Sequence, residues 1–285
     1  MKGLTISMIF DAMSANFGEG IGNISELKKL TKNNQEYTYI SRQAIRYDVF
    51  RMINEKEKIE APLTNKGTNQ FDAKANAKDH IEVDLFGYMK TTKGQGSATR
   101  PAAVRFSHAV SLEAYKGDIE FAANHNFAGR AKANPNPFNL ETHSSLYTYT
   151  VTIDLDRIGK EDSDEKSSLN AKERARRVSL VLDTLRSLNR EIKARVENFN
   201  PLFAIGGVYD IKNPYFLGRI ALDGKNKINT KILKSTIENI DEKTRFALVD
   251  GFFNNDFEKE LGKSSSIKEF FNTLKKEVED YYKGE

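Results

Sequence analysis

The chain has 285 residues, of which 39% are hydrophobic and 29% charged, so we expect one large domain or two small ones with long polar excursions. The absence of cysteine excludes disulfide scaffolds, cysteine-ligated zinc and thiol catalysis, and the four histidines form no H-x-x-x-H pair, so we expect no metal and no cofactor. Basic residues are concentrated in 86–135 and 200–235, which favours a polyanion such as nucleic acid, although ordinary surface charge remains an alternative. No apolar run approaches the ~20 residues that span a bilayer, which predicts a cytoplasmic protein with no membrane partner.

The N-terminal third predicts a strand, a loop, a helix and an insertion. Period-two alternation indicates a half-buried strand over 2–11, followed by a loop rich in glycine and asparagine over 14–40. Ser41 is suited to cap a helix that runs to about Asn54. Residues 55–101 are rich in lysine, asparagine and glycine, which is typical of an insertion with a small helical core.

Two further stretches, 102–114 and 146–155, alternate in the same way and predict strands. On the first of them, five residues share the predicted apolar face: Val104, Phe106, His108, Val110 and Leu112. His108 is therefore expected to be a core histidine. Between the two strands, 116–144 forms a second long excursion with proline turns.

The C-terminal half predicts mainly helices. Asn170 is suited to cap a helix over 171–197, and the nearly continuous apolar run 202–209 is typical of a central strand. Helical spacing continues near 231–249 and 265–283.

Without its insertions the element order is βαββαβ, which predicts an α+β protein with a ferredoxin-like or RRM-like arrangement. The strands offer one apolar face for two helices and one face of Thr, Ser and Arg. The aromatic platform on which RRM proteins stack bases is absent from that second face. Such a sheet is able to bind RNA through backbone contacts from flanking loops, to dock a neighbouring subunit, or to bind no nucleic acid at all.

Five ordered blocks resemble the DevR family, which supplies the backbone subunit of type I CRISPR effector complexes (Cascade), in its type I-B-like form. The blocks are YTYISRQAIRY at 37–47, DLFGYM at 84–89, RPAAVRFSHAV at 100–110, NPNPF at 134–138 and YTYTVTIDLD at 147–156. No single block is as specific as a Walker loop, but their order and spacing are specific together. The likeness runs from residue 1 to about 220.

The resemblance implies an RRM-like palm with a helical fingers insertion and a thumb hairpin. Several copies would assemble as a helical oligomer along the CRISPR guide RNA, together with other Cascade subunits and a target DNA strand, in antiviral defence. The implied division is 1–54 palm, 55–101 fingers, 102–115 palm strand, 116–144 thumb, 145–211 palm and 212–285 a C-terminal helical extension.

Given this resemblance, four residues at the start of the first helix are expected to contact guide phosphates: Ser41, Arg42, Gln43 and Arg46. Arg42 and Arg46 share a helix face, and a helix N-terminus presents free N–H groups and partial positive charge. The alternative is a cap with solvent-facing arginines. Asn16 and Gly18 lie in a glycine-rich loop that permits close backbone approach to RNA.

Further candidates lie in the insertions and the last strand. Lys90, Lys93 and Arg100 flank a loop suited to tracking a nucleic-acid strand, or to solvent alone. In the thumb, Arg130 and Lys132 are candidate phosphate ligands. Two thumb phenylalanines are candidate wedges between bases, Phe127 and Phe138, and Phe138 is the one better suited to anchor the base of the thumb. Gly206 and Gly207 indicate a bulge or a close RNA approach.

We expect no catalysis. Related type III backbone subunits cut target RNA with an acidic residue, typically Asp, in the loop after the first strand, but 14–40 contains no Asp. A type III-like ribonuclease and an RNA-free interaction module remain the two alternatives.

Overall fold

Runs of strands are interspersed with single helices along the described chain. A computed structural model describes residues 1–20, 22–64, 69–92, 96–161 and 164–284. Its strands are β1 Gly3–Met13, β2 Ile24–Ser25, β3 Lys29–Lys32, β4 Gln35–Ile40, β5 Leu63–Thr64, β6 Gln70–Phe71, β7 Tyr88–Thr92, β8 Gly96–Arg100, β9 Val104–Phe106, β10 Ala109–Ser111, β11 Asp118–Ala123, β12 Pro137–Thr142, β13 Ser144–Asp154, β14 Lys160–Glu161, β15 Asp164–Ser168, β16 Asn189–Ile192, β17 Arg195–Asn198, β18 Phe203–Tyr209 and β19 Arg245–Leu248. Its helices are α1 Arg42–Glu57, α2 Ile81–Phe86, α3 His125–Ala131, α4 Ala171–Arg186, α5 Thr230–Ile237, α6 Phe257–Glu260 and α7 Ile267–Gly284.

A central antiparallel sheet organises the molecule. Its strands follow the order β19-β18-β1-β13-β10-β4-β3, and β9 pairs with β13 beside β10. β1 lies in the middle and pairs with β13 along its whole length, from Gly3 opposite Asp154 to Met13 opposite Ser144. The chain is therefore a mixed α+β protein whose sheets are mostly antiparallel, as the sequence predicts.

Both faces of the central strand are buried. Towards α1, α4 and α7, the predicted apolar residues of β1 meet the aromatic and aliphatic residues of β13 in one core: Leu4, Ile6, Met8, Phe10, Tyr147, Tyr149, Val151 and Ile153. On the opposite face, Ile9 belongs to a second cluster with Phe203 and Phe216. The polar face that the alternation predicts to be open is thus partly covered by the segment after β18.

One predicted strand is broken by a β-bulge. Phe106 pairs with Val151, and Val110 pairs with Thr148. The chain therefore advances four residues from β9 to β10 while β13 advances three, which leaves one extra residue in the β9–β10 segment. The extra residue reverses which side chains face the core. His108 is consequently exposed, and its predicted place in the core is wrong.

Two predicted helices are shorter than their apolar spacing indicates. α4 is capped by Asn170 as predicted but ends at Arg186, and the rest of 171–197 contains the β16–β17 hairpin, in which Val196 is 66% exposed. The predicted helix 231–249 is α5 followed by β19, which adds an edge strand to the central sheet. The extension after 212 is therefore not purely helical.

The two insertions differ in structure. The fingers segment, 55–101, contains α2 and the hairpins β5–β6 and β7–β8 in its described residues, so it is less helical than expected. The thumb segment, 116–144, is a β11–β12 hairpin with α3 at its tip, and β2 pairs in parallel with β12. Among the described residues, no helix is both long and apolar enough to cross a membrane.

Candidate nucleic-acid interface

A groove of about 520 Å³ lies between the start of α1, strand β9 and the turn after α2. The elements place cationic and aromatic side chains around it. Its lining is Arg42, Gln43, Arg46, Phe86, Gly87, Tyr88, Arg100, Ala102, Val104, Arg105 and Phe106. Three of the four residues predicted to contact phosphate are therefore brought together here.

The start of α1 is fixed by two buried polar residues. The Ser41 hydroxyl accepts a hydrogen bond from Ala44 N at 3.2 Å, as a helix cap does, and Asn16 Oδ1 accepts one from Ser41 N at 2.9 Å. Both residues are only 8% exposed. The Asn16 side chain thus holds the helix start, and its predicted RNA contact stays a prediction, limited by this burial. The predicted phosphate contact of Ser41 stays a prediction, limited by the same burial.

Most amides of the first helical turn already have protein acceptors. Arg42 N donates to His108 Nδ1 at 3.1 Å, and Ile45 N donates to Ser41 O at 3.1 Å. Burial lowers the pKa of His108, and the nearby cations Arg42 and Lys28 lower it further, which keeps its Nδ1 available as an acceptor. Phosphate binding by free amides, as predicted from the helix N-terminus, is therefore limited, and the side chains carry the positive charge.

Three exposed arginines line the groove with no carboxylate of the described residues at ion-pair distance, although the more distant Glu82 carboxylate acts on Arg46. Arg42 and Arg46 project from α1, and the Arg46 guanidinium lies 4.9 Å from the centre of the Phe86 ring. Arg105 projects from β9, and its Nε donates to Ala102 O at 3.0 Å. Within the part of the chain that the structure describes, none of the three is ion-paired, whereas Arg51, like most other arginines, is. Unpaired guanidinium groups at one groove favour phosphate binding.

Arg105 is the groove residue that the sequence prediction missed. The alternation of 102–114 places it on the polar side of a strand, but alternation alone does not separate a ligand-binding arginine from a solvated one. Only the neighbouring positions of α1 and β9 show that it shares a groove with Arg42 and Arg46.

Two of the cations that the sequence predicts to contact a nucleic-acid strand, Lys90 and Arg100, are buried instead. Arg100 is almost inaccessible, at 2% exposure, although its edge lines the groove floor, and its Nη2 lies 2.8 Å from Asp84 Oδ1. The same carboxylate binds Arg177 through Oδ2 at 2.8 Å. Lys90 is 6% exposed, and its ammonium bonds to Ala75 O and lies 4.1 Å from the centre of the Tyr88 ring. These cations stabilise the fingers segment, and their predicted contacts with nucleic acid stay predictions, limited by this burial. Lys93 lies outside the described residues.

The paired glycines of β18 also serve the fold. A Cβ at Gly206 would lie 2.0 Å from Thr5 O, and one at Gly207 would lie 2.7 Å from Lys243 O. The protein backbone thus makes the close approach that these glycines permit, and their predicted RNA contacts stay predictions. Gly18 is exposed, with the nearest atom to a built Cβ at 3.8 Å, and its predicted role stays a prediction.

The thumb segment carries exposed cations and aromatic rings. Arg130 and Lys132 are exposed, and Phe127 is 70% and Phe138 39% exposed. Phe121, which was not predicted, is 68% exposed on β11. Their contacts with nucleic acid stay predictions. In the described ranges, no cluster of three or more His, Asp or Glu is placed to hold a metal ion.

Known proteins resemble the chain in both sequence and fold. A protein of Myxococcus xanthus (strain DK1622), described as CRISPR-associated protein Cas7/Cst2/DevR, is 32% identical over 157 residues, which are 48% of this chain and 52% of that relative. The chain thus matches about half the length of this relative. A solved chain described as CRISPR RNA-guided surveillance complex shares the fold with a TM-score of 0.63, at 15% identity, over 97% of this chain and 99% of that one. Another, described as CRISPR RNA-guided surveillance complex, pre-nicking, has a TM-score of 0.64 at 12% identity and covers 97% and 100%.

A family model agrees with these likenesses. It is described as CRISPR-associated negative auto-regulator DevR/Csa2 and matches residues 4–226, which include the central sheet up to β18, both insertions and the groove. The chain belongs to the DevR/Csa2 family of CRISPR-associated proteins.

Proposed function

We propose that the chain is a backbone subunit of a Cascade-type complex and binds CRISPR guide RNA through its sugar–phosphate backbone. The observation that carries the proposal is the set of three exposed arginines without carboxylate partners, Arg42, Arg46 and Arg105, around one groove. Arginine guanidinium groups match phosphate geometry and bind it without reading sequence. Family membership supports a role in CRISPR-based antiviral defence.

The central sheet supports the palm that the resemblance implies. Four adjacent inner strands run in the order β18-β1-β13-β10, which corresponds to fourth, first, third and second in a βαββαβ unit. We infer a ferredoxin-like palm, with the fingers segment and the thumb segment as its two projections. Copies would assemble side by side along the guide, and the assembly would include other Cascade subunits and the target DNA strand.

Binding without sequence recognition follows from where the aromatic residues lie. Tyr147 and Tyr149 are each 1% exposed and belong to the core, so β13 offers no rings on which bases stack. Part of the other face is covered by the cluster around Phe216. Sequence specificity then comes from pairing between guide and target, as in other RNA-guided systems.

Purification of the chain with a co-expressed guide RNA tests the proposal. We expect the wild-type protein to carry nuclease-sensitive RNA, and the Arg42→Ala/Arg46→Ala/Arg105→Ala variant to lose most of it. Arg219→Ala is a matched control, because Arg219 is exposed and lies away from the groove. A wild-type protein that elutes as a clean monomer without RNA would favour the RNA-free interaction module.

We also propose that the chain has no catalytic activity of its own. In the loop after β1, Ser14 and Asn16 are buried and structural, and the acid that remains exposed there is Glu19. Labelled guide and target RNA should stay intact under single-turnover conditions. Cleavage that disappears in Glu19→Ala would instead support the ribonuclease.

A further inference from the structure

One buried histidine lies at the base of the thumb segment, where the thumb joins the central sheet. We call this base closed while the contacts of the histidine are made, and released when they are broken. His143 lies between β12, the returning thumb strand, and β13 of the central sheet, and is 8% exposed. Its carbonyl accepts from Ser14 N at 2.9 Å, and its amide donates to Ser14 Oγ at 3.0 Å. The returning thumb strand is therefore attached to the end of β1 at the residue where it enters the sheet.

The imidazole of His143 ends a chain of buried hydroxyl groups. Thr38 Oγ1, on β4, lies 2.7 Å from His143 Nδ1 and 2.6 Å from the Tyr147 hydroxyl. The imidazole also makes a hydrogen bond with the backbone of Ala114. A neutral ring that donates to Ala114 and accepts from Thr38 leaves the Thr38 oxygen free to accept from Tyr147. In that arrangement every polar group of the chain has a partner.

The same ring also contacts the outgoing thumb strand. Ala114 and Tyr115 lie on the segment that leads from β10 to β11, and the Tyr115 ring meets the His143 ring edge-on with centroids 5.6 Å apart. Tyr115 N donates to Glu36 O of β4 at 2.7 Å. His143 thus touches both strands of the hairpin where they leave the sheet, and it joins them to β1 and β4.

We propose that His143 is the positioning residue that fixes the direction of the thumb segment relative to the central sheet, and that it does so only while its imidazole is neutral. A protonated imidazole donates from both nitrogens, so the Thr38 oxygen accepts from His143 and its hydroxyl proton can no longer go to the ring. Whether Thr38 then donates to Tyr147 or accepts from it, one of the two buried hydroxyl protons loses its acceptor within the chain of hydroxyl groups, which costs free energy as long as the base stays closed. Release of the thumb segment hydrates these groups and removes the cost.

Electrostatics around the ring set the direction of the pH response. Burial lowers the pKa of His143 from 6.5, and the carboxylates of Glu113 and Asp118 oppose this shift. The closed base therefore binds fewer protons than the released one, so stability of the closed base falls as the pH drops from 6.5 towards the lower folded-state pKa. Other charged groups face the ring or its two tyrosine neighbours: Asp11, Lys29, Glu36, Glu141 and Glu197. Lys29 and Glu141 neutralise each other at 2.7 Å.

Distance measurements on the isolated chain test the proposal without RNA, so the result is independent of the proposed function. Because the chain has no cysteine, spin labels at Asn126→Cys in α3 and Ser187→Cys after α4 report the direction of the thumb segment. We expect one narrow distance distribution near about pH 7.5 and a broad one near about pH 5.5, the range in which histidines titrate. Thr38→Val, which removes the hydroxyl chain, should broaden the distribution at both pH values.

Two histidine variants make the readout specific. His143→Gln keeps a neutral hydrogen-bonding side chain, so its distance distribution should not respond to pH. His125→Gln, at the exposed thumb tip, should respond as the wild type does. A distribution that stays narrow at about pH 5.5 in the wild-type background, or a pH response that persists in His143→Gln, would overturn the proposal. If His143→Gln does not fold, the wild-type pH profile and a nuclear magnetic resonance titration of the His143 ring still decide it.

Discussion

At the scale of single residues, the partner of an arginine decides its role. Arg100 and Arg105 lie five positions apart in the same block of sequence, and both line the groove. Arg100 is buried against Asp84, whereas Arg105 is exposed with no carboxylate partner in the described part of the chain. Their chemistry is the same, yet the sequence prediction assigned Arg100 to a nucleic-acid strand or to solvent and made no such assignment for Arg105. The difference depends on Asp84, which only the fold brings next to Arg100.

The buried pair predicts a loss of stability when Arg100 is removed. Arg100→Ala leaves one oxygen of the buried Asp84 carboxylate without its guanidinium partner, so we expect the free energy of unfolding to fall by about 3 kcal/mol. Arg42→Ala, at an exposed position, should change it by no more than about 0.5 kcal/mol. Urea denaturation of the two variants measures both values. An Arg100→Ala protein as stable as wild type but weaker in RNA binding would return Arg100 to the interface.

At the scale of elements, apolar alternation predicted a strand correctly where one face is buried, and capping residues predicted where helices begin. The alternation in 146–155 corresponds to β13, and Ser41 and Asn170 each cap the helix that the sequence predicts. Alternation failed at the bulge after β9, because one inserted residue changes the register without changing the apolar pattern. Helical spacing likewise continued past the end of α4 into a hairpin. The strand order and the groove depend on pairing between strands that are far apart in sequence, and local periodicity does not predict which strands pair.

The pairing of β1 with β18 gives a prediction at this scale. A Cβ at Gly206 would meet Thr5 O at 2.0 Å, so Gly206→Ala must push the two strands apart and should destabilise the protein by about 3 kcal/mol. Gly129→Ala in α3 is the matched control, because nothing lies within 4 Å of its built Cβ and alanine favours helix. Thermal unfolding monitored by circular dichroism compares the two. Equal melting temperatures would show that the strands tolerate a side chain at Gly206.

At the scale of the whole molecule, charge and shape support the same function. The net charge is only +4, so the chain is not a strongly basic protein that binds polyanions everywhere. Most arginines of the described structure are used in ion pairs, such as Arg190 with Asp48 and Arg176 with Glu173, whereas three arginines outside ion pairs, Arg42, Arg46 and Arg105, line one groove. The aromatic residues of the two longest strands of the sheet, Phe10, Tyr147 and Tyr149, are buried in the core. A surface of this kind holds a phosphate backbone and leaves the bases free to pair.

The salt dependence of RNA binding tests this central claim most directly. The dissociation constants of two short single-stranded RNAs of unrelated sequence are measured across a range of salt concentrations, for the wild type and for Arg42→Ala/Arg46→Ala/Arg105→Ala. Each phosphate contact on a single strand contributes about 0.7 to the slope of log affinity against log salt, so the variant should lose about 2 from the slope, equally for both sequences. An unchanged slope, or a loss confined to one sequence, would contradict binding through the backbone at this groove.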